Sequence, residues 1–392
     1  MKRREFITKG SLVAGGVIAS TSSLGAISKH ITLNNTINIG VIGTGDRGGG
    51  LIPILNQIDG INVAAVCDTI PFRLENGLTK TLNKAKTYTN YKKLLDDKNI
   101  DAVLIASPFS THSTIANDAL DAGKHIYCEK TMAKGLDEIN SLVEKVSKSK
   151  TIFQTGHQYH SSKLYNHIVK LIKEGEIGKI ASFECQWNRN GNWRRPVPDP
   201  KLERAINWRM YKEFSGGLAA ELCSHQIDFA NWVLDENPKK IMGIGGIDYW
   251  KDGRETFDNI HLLFEYPSGV KATFTCLTSN SLDDYQIKVN GSKGTIFLDY
   301  TKAWISYEPN AKKEFIEVDG VSGATSNPSS NRKGYQIQVS HLDPSKQALI
   351  DFRDAILDNK QPISNVFTGA NTAKAIQLSL DAMQNENIQY WK

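Results

Sequence analysis

The sequence predicts an α/β protein whose N-terminal half is a doubly wound parallel sheet. Two observations carry this prediction. Apolar, β-rich runs alternate with helical patterns between residues 36 and 152, and a glycine-rich turn joins the first run to the first helix. A chain of 392 residues, 40% hydrophobic and 23% charged, can bury a sizeable core and divide into two domains, with the second expected over 153–392.

The first 35 residues stand apart. Arg3-Arg4 is followed by Phe6, Ile7 and an apolar run from Leu12 to Ala19, which resembles a twin-arginine signal. That run falls short of the roughly 20 residues that a bilayer requires, so no stable membrane insertion is expected. Residues 1–35 are read as signal and linker, and the protein as exported to the periplasm, by a route that carries folded proteins.

The formal charge of +5 is small and the lysines are scattered, which argues against a nucleic-acid partner. Five separated cysteines, without CxxC or zinc spacing, predict no disulfide framework.

The first strand, Ile37 to Ile42, runs into Gly43-Thr44-Gly45-Asp46-Arg47-Gly48 and then a helix carrying Leu51, Ile54 and Leu55. A second strand, INVAAVCD, ends in Asp68, 20 residues beyond Gly48. This order is the dinucleotide fingerprint: glycines admit the pyrophosphate to the backbone, the helix N-terminus stabilises its charge, and the acid accepts ribose hydroxyls. Asp68 favours NAD over NADP, because it would repel a 2′-phosphate. Arg47 and Arg73 are the residues that could reach such a phosphate instead.

A helix, a strand from Ala102 to Ala106, another helix and a strand from His125 to Cys128 continue the pattern. Ligands of such sheets bind beyond the carboxyl ends of the strands, where Ser107-Pro108 and Glu129-Lys130 fall. A lysine there can hydrogen-bond a substrate hydroxyl and favour loss of its proton. A surface ion pair is the competing reading of Glu129-Lys130.

These residues together resemble the glucose-fructose oxidoreductase, inositol dehydrogenase and rhizopine catabolism family, Gfo/Idh/MocA. GVIGTGDRGGG matches its glycine turn, ASPFSTH, which ends in His112, its strand-end loop, and GKHIYCEKTMA its EKP motif, with Thr131 in place of proline. The resemblance implies a second, α+β domain built on a large open, mostly antiparallel sheet, which often mediates oligomers; a homodimer or tetramer is expected. NIHLLFEY, GVKATFTCL, YQIKVNG and GTIFLDY fit strands of that sheet, and a closing helix near 367–385 is expected to pack back toward the first domain.

SGGLAAELCSHQIDFANWVL corresponds to the family helix written GGxxxDxGxHxxD, with Glu221 in place of Asp and Cys223 in place of Gly. Glu221, His225 and Asp228 fall at i, i+4 and i+7, one face of one helix, where a carboxylate can orient an imidazole that acts as a base. The resemblance makes Lys130, Glu221 and His225 the catalytic set. His157 and His160 could join them around a metal, but HQYH converges poorly and no metal is expected. His157, Gln158 and Tyr159 are read as substrate or nicotinamide contacts.

The segment 187–214 gathers Trp187, Trp193, Trp208 and Tyr211 among Arg189, Arg194, Arg195, Arg204 and Arg209. Aromatic faces stack on sugar rings and arginines fork onto hydroxyls, so Trp193, Arg194, Arg195 and Trp208, with Asp228, are expected at a carbohydrate pocket. A surface between subunits would be enriched in the same residues. Three functions remain open at this point: oxidation of a ring hydroxyl, with C3 the candidate position, of a sugar or glycoside with a retained NAD; glycosidic cleavage through transient C3 oxidation, elimination and water addition; and a non-catalytic NAD-binding sensor.

Overall fold

The computed structural model describes residues 36–308 and 334–391; the signal-like segment lies outside them. Six strands form one parallel sheet: β1 (Ile37–Ile42), β2 (Ile61–Cys67), β3 (Lys86–Tyr88), β4 (Ala102–Ile105), β5 (His125–Cys128) and β6 (Phe153–Thr155), in the order β3-β2-β1-β4-β5-β6. The chain reverses direction across the sheet between β1 and β4, the switch point at which a doubly wound sheet opens a crevice. Helices α1 (Asp46–Leu55), α2 (Pro71–Thr79), α3 (Tyr91–Leu95), α4 (His112–Asp121) and α5 (Leu136–Ser147) connect the strands. All four residues of β4 are buried, as expected of a strand covered on both faces. The sheet continues three residues past the expected boundary at 152, because β6 pairs with β5 through Ile126–Phe153.

Among the described residues the second sheet holds nine strands. After α6 (Lys163–Lys173) come β7 (Ile180–Asn190), the short α7 (Glu203–Ile206) and α8 (Ser224–Leu234). Then follow β8 (Lys240–Gly246), β9 (Asn259–Glu265), β10 (Lys271–Leu277), β11 (Ser279–Gly291), β12 (Gly294–Leu298), β13 (Ala303–Tyr307) and β14 (Tyr335–Ile337). Helices α9 (Pro344–Asp358) and α10 (Val366–Asn385) and strand β15 (Gln389–Tyr390) close the chain. The order is β14-β13-β12-β11-β7-β10-β9-β8-β15, antiparallel except where β10 meets β7. In β7, Phe183, Cys185 and Trp187 alternate onto the buried face beneath α8.

The two sheets are joined by the C-terminal helices. Val366 and Ala373 of α10 enter the core of the parallel sheet, while Ile376, Leu378 and Met383 enter that of the open sheet. The sequence reading gave α9 no place; it also belongs to the first domain. Its Ala348, Leu349, Phe352 and Ala355 are buried against Leu51, Leu104 and Tyr127, and the rings of Phe352 and Tyr127 lie 5.7 Å apart, edge to face. No helix among the described residues is long and apolar enough to cross a membrane. Phe352→Ala is expected to lower stability by about 3–5 kcal/mol, measured by equilibrium urea unfolding; an unchanged midpoint would mean that α9 contributes nothing to the parallel sheet.

Candidate active site

The glycine turn is fixed by close approach. Gly43 has φ +88°, and a Cβ there would stand 2.7 Å from the Ala106 carbonyl carbon; one on Gly48 would stand 1.9 Å from the Gly43 oxygen. A Cβ on Gly45 would first meet the Arg73 guanidinium, at an ordinary contact distance of 3.6 Å. No side chain caps the N-terminus of α1, so its first amides face a cleft of about 600 Å³. Asp68, at the end of β2, accepts from Thr44 N and from Ile70 N at 2.8 and 2.9 Å, which aims its carboxylate along the cleft wall. Ser107 and Pro108 line the same cleft. A backbone cradle, uncapped amides and a ribose-side acid fit a dinucleotide.

Neither arginine named as a 2′-phosphate ligand stands idle. Arg47 Nε donates to Glu129 Oε1 at 2.6 Å and its Nη1 to Ser345 at 3.3 Å, while Arg73 Nη2 donates to the Ile206 carbonyl at 3.4 Å. His112 braces two strand-end loops, with Nδ1 2.8 Å from Thr131 O and Nε2 2.9 Å from Ser107 O. Both of its nitrogens are thus occupied by the protein, which leaves neither to a cofactor. Burial pushes its pKa down.

Lys130 reaches the other domain. Its Nζ donates to the backbone oxygens of Ala220 and Glu221 at 3.1 and 2.8 Å. Both belong to a single π-helical turn, Ala219–Cys223, that leads into α8. This wider turn overturns the expected i, i+4 relation, because it rotates residue 221 away from the face that carries His225. Glu221 instead accepts from Arg209 Nε at 2.8 Å. Burial opposes its ionisation, but Arg209 and Lys130 outweigh that and hold the carboxyl below its usual value. Asp228 is not beside His225 either; it pairs with His160 Nε2 at 2.8 Å and accepts from Thr372 at 3.0 Å, tying the loop after β6 to α10.

His225 lies in a buried aromatic nest. The rings of Tyr159, His157 and Trp187 stand 5.2, 5.8 and 5.8 Å from it. Burial, then the charges of Lys130, His157 and Arg47, drive its pKa well below 6.5, so the imidazole is neutral at pH 7. Burial likewise lowers Lys130, against the pull of Glu221 and Glu129. Among the described residues His225 Nδ1, His157 Nε2 and Gln158 Oε1 are buried without a hydrogen-bond partner, polar atoms suited to a ligand's hydroxyls.

The aromatic and basic segment divides. Trp187 and Arg189 remain on β7, and Trp187 joins Tyr285 and Tyr300 at 4.9 and 5.6 Å to extend the wall near His225. The alternation Phe183, Cys185, Trp187 was the signal that could have placed Trp187 there. Tyr285 and Tyr300 had none, since long-range pairing of β11 with β7 sets Tyr285 opposite Trp187, and Tyr300, beyond β12, stacks on Tyr285 at 4.6 Å. Trp193, Arg195 and Trp208 line the cleft of the glycine turn, whereas Arg194 pairs with Asp252 and Glu203.

This arrangement defines a dinucleotide-dependent oxidoreductase. Residues 37–157 match the family described as "Oxidoreductase family, NAD-binding Rossmann fold", and residues 165–297 match the "GFO/IDH/MocA C-terminal domain". The chain belongs to the Gfo/Idh/MocA family, and NAD is its cofactor. It is 30% identical to 2,7-anhydro-N-acetylneuraminate hydratase of Escherichia coli (strain K12) over 67% of this chain and 68% of that protein. Against myo-inositol 2-dehydrogenase of Thermotoga maritima the identity is 28%, over 67% of this chain and 75% of that one. The solved structure of levoglucosan dehydrogenase in complex with NADH and levoglucosan shares the fold, with a TM-score of 0.70 over 91% of this chain and 99% of that chain at 18% identity.

Three buried histidines, His112, His157 and His225, have lowered pKa values. Below about pH 6.5 the unfolded chain takes up protons that the folded chain refuses, so stability must fall with pH by up to about 1.4 kcal/mol per unit for each. Unfolding free energies measured between pH 7 and 5 should fall accordingly, and His225→Gln should make the slope shallower; an identical slope would mean that His225 is protonated in the fold.

Proposed function

We propose that the protein oxidises a ring hydroxyl of a sugar or glycoside, with C3 the first position to test. The observation that carries this is the neutral, unpartnered His225, which lies within the field of Lys130. NAD, when bound, supplies the hydride acceptor. His225 takes the hydroxyl proton, and Lys130, held by two carbonyls, donates a hydrogen bond to the same oxygen. Trp187 and Tyr300 offer faces for the sugar ring. Arg209 fixes Glu221, and the Glu221 carbonyl in turn holds Lys130, so the carboxylate is a positioning residue.

A second reading, cleavage of a glycosidic bond by transient oxidation, elimination and water addition, is favoured by His157. Its unpartnered Nε2 is a second base on a ring 5.8 Å from that of His225. The hydratase relative supports it, since its name describes addition of water to an anhydro sugar. The sensor reading rested on Glu221 in place of Asp, and the Arg209 ion pair gives that residue a role within a catalytic set.

Export through a twin-arginine route and assembly into a homo-oligomer belong to the same proposal. Arg3-Arg4 supports the first. Ile244, exposed on the open sheet, supports the second. Replacing both arginines with lysine should retain the protein in the cytoplasmic fraction, and light scattering should give at least twice the 43.5 kDa chain mass.

An anaerobic absorbance scan at 340 nm with aryl glycosides and free sugars tests the chemistry. NADH formed without aryl release is expected; aryl release without net NADH would replace the first reading with the second. Lys130→Met should lower turnover about 10²–10⁴-fold while NAD stays bound. Unchanged turnover would remove Lys130 from the chemistry.

A further inference from the structure

The cleft above the glycine turn has a second wall that the dinucleotide fingerprint does not supply. After β7 the chain leaves the open sheet and crosses to the first domain, so that Trp193, Arg195, Ile206 and Trp208 face Gly45 and Asp68 across the cleft. Two contacts tie this strap to the parallel-sheet domain: Arg195 Nη2 to Asp46 Oδ2 at 3.0 Å, and Arg73 Nη2 to Ile206 O at 3.4 Å.

The backbone around Arg195 is preorganised. The Asn207 side chain, 2% exposed, accepts from Arg195 N at 2.7 Å and donates to Arg195 O at 3.1 Å, clasping that residue from both sides. Two residues earlier Trp193 has φ +62°, a conformation that a tryptophan adopts only when its surroundings enforce it. The Arg195 guanidinium is meanwhile 61% exposed, so the fold does not need it for burial.

Asp46 makes that guanidinium significant. A carboxylate in the first turn of α1 repels a diphosphate drawn to the same helix end. An arginine bound to Asp46 cancels that repulsion, and its remaining N–H groups are in place to fork onto phosphate oxygens.

We propose that Arg195 is the diphosphate ligand contributed to the cofactor site by the second domain, and that the strap from Trp193 to Arg209 is a wall that must lift before NAD leaves. The inference rests on the cofactor half of the functional reading and not on the identity of the sugar. It gives the retained cofactor expected of an exported oxidoreductase a structural basis, and it links retention to catalysis, because the same strap carries Arg209, whose partner Glu221 holds Lys130.

The test needs no sugar. The full chain is loaded with NADH and mixed with excess NAD, and release is followed as the loss of tryptophan-to-NADH energy transfer. Arg195→Ala should release NADH at least about tenfold faster, with Arg195→Lys in between, at an unchanged unfolding midpoint. The double variant Asp46→Asn/Arg195→Ala should also release quickly, since the phosphate contact is still missing. Release from Arg195→Ala at the parental rate would overturn the proposal, and so would a double variant restored to slow release, which would reduce Arg195 to a neutraliser of Asp46. A parental chain that binds no NADH would overturn the cofactor reading itself, an outcome distinct from either.

Discussion

The ion pair of Arg47 with Glu129 is the contact on which the site depends. Arg47 belongs to the glycine turn, Glu129 ends β5 one residue before Lys130, and Ser345, the third partner, begins α9. One guanidinium therefore fixes the first helix, the strand end and the returning tail together. Glu129 is almost wholly buried whereas the Arg47 side chain is 34% exposed, so loss of Arg47 would strand a buried carboxylate while the guanidinium itself is partly screened by solvent. Gly156 completes the fit, since a Cβ there would stand 2.8 Å from the Glu129 carboxylate.

From that anchor the electrostatics follow. Cations gather on one side of His225, with Arg47 and Lys130 both holding its pKa down in a region already dry. The same dryness lowers Lys130, although its ammonium is satisfied by two helix carbonyls. Burial and like charge thus leave an uncharged imidazole, the form that the proposed removal of a hydroxyl proton requires. The carboxylates that might have reversed this are occupied elsewhere, Glu221 by Arg209 and Asp228 by His160.

Neither domain makes the site alone. The parallel sheet supplies the cradle and Lys130; the open sheet supplies His225, the aromatic wall and the strap. The joint between them is kept by α10, whose apolar side chains enter both cores, while those of α9 enter that of the parallel sheet. Movement at that joint would act on cofactor and catalytic residues together.

The sequence by itself determined the first domain: the Gly43–Gly48 turn, Asp68 and the strand-end pair Glu129-Lys130 are local signals, because close backbone approach and a fixed βαβ spacing leave few other residues possible. His225 was legible through the resemblance of its helix to the family motif, and His157 and Tyr159, which stand beside it, were named from the sequence as well. The rest of its surroundings were not. One π-helical turn, invisible in residue spacing, redirected Glu221, and the pairing of β11 with β7 brought Tyr285 opposite Trp187, with Tyr300 stacked on it. The arginine-rich segment has no periodicity, and its composition alone was read as a carbohydrate pocket or a surface between subunits. Only the tertiary structure decided that it faces the cofactor, because a strap takes its position from long-range ion pairs and not from its own sequence.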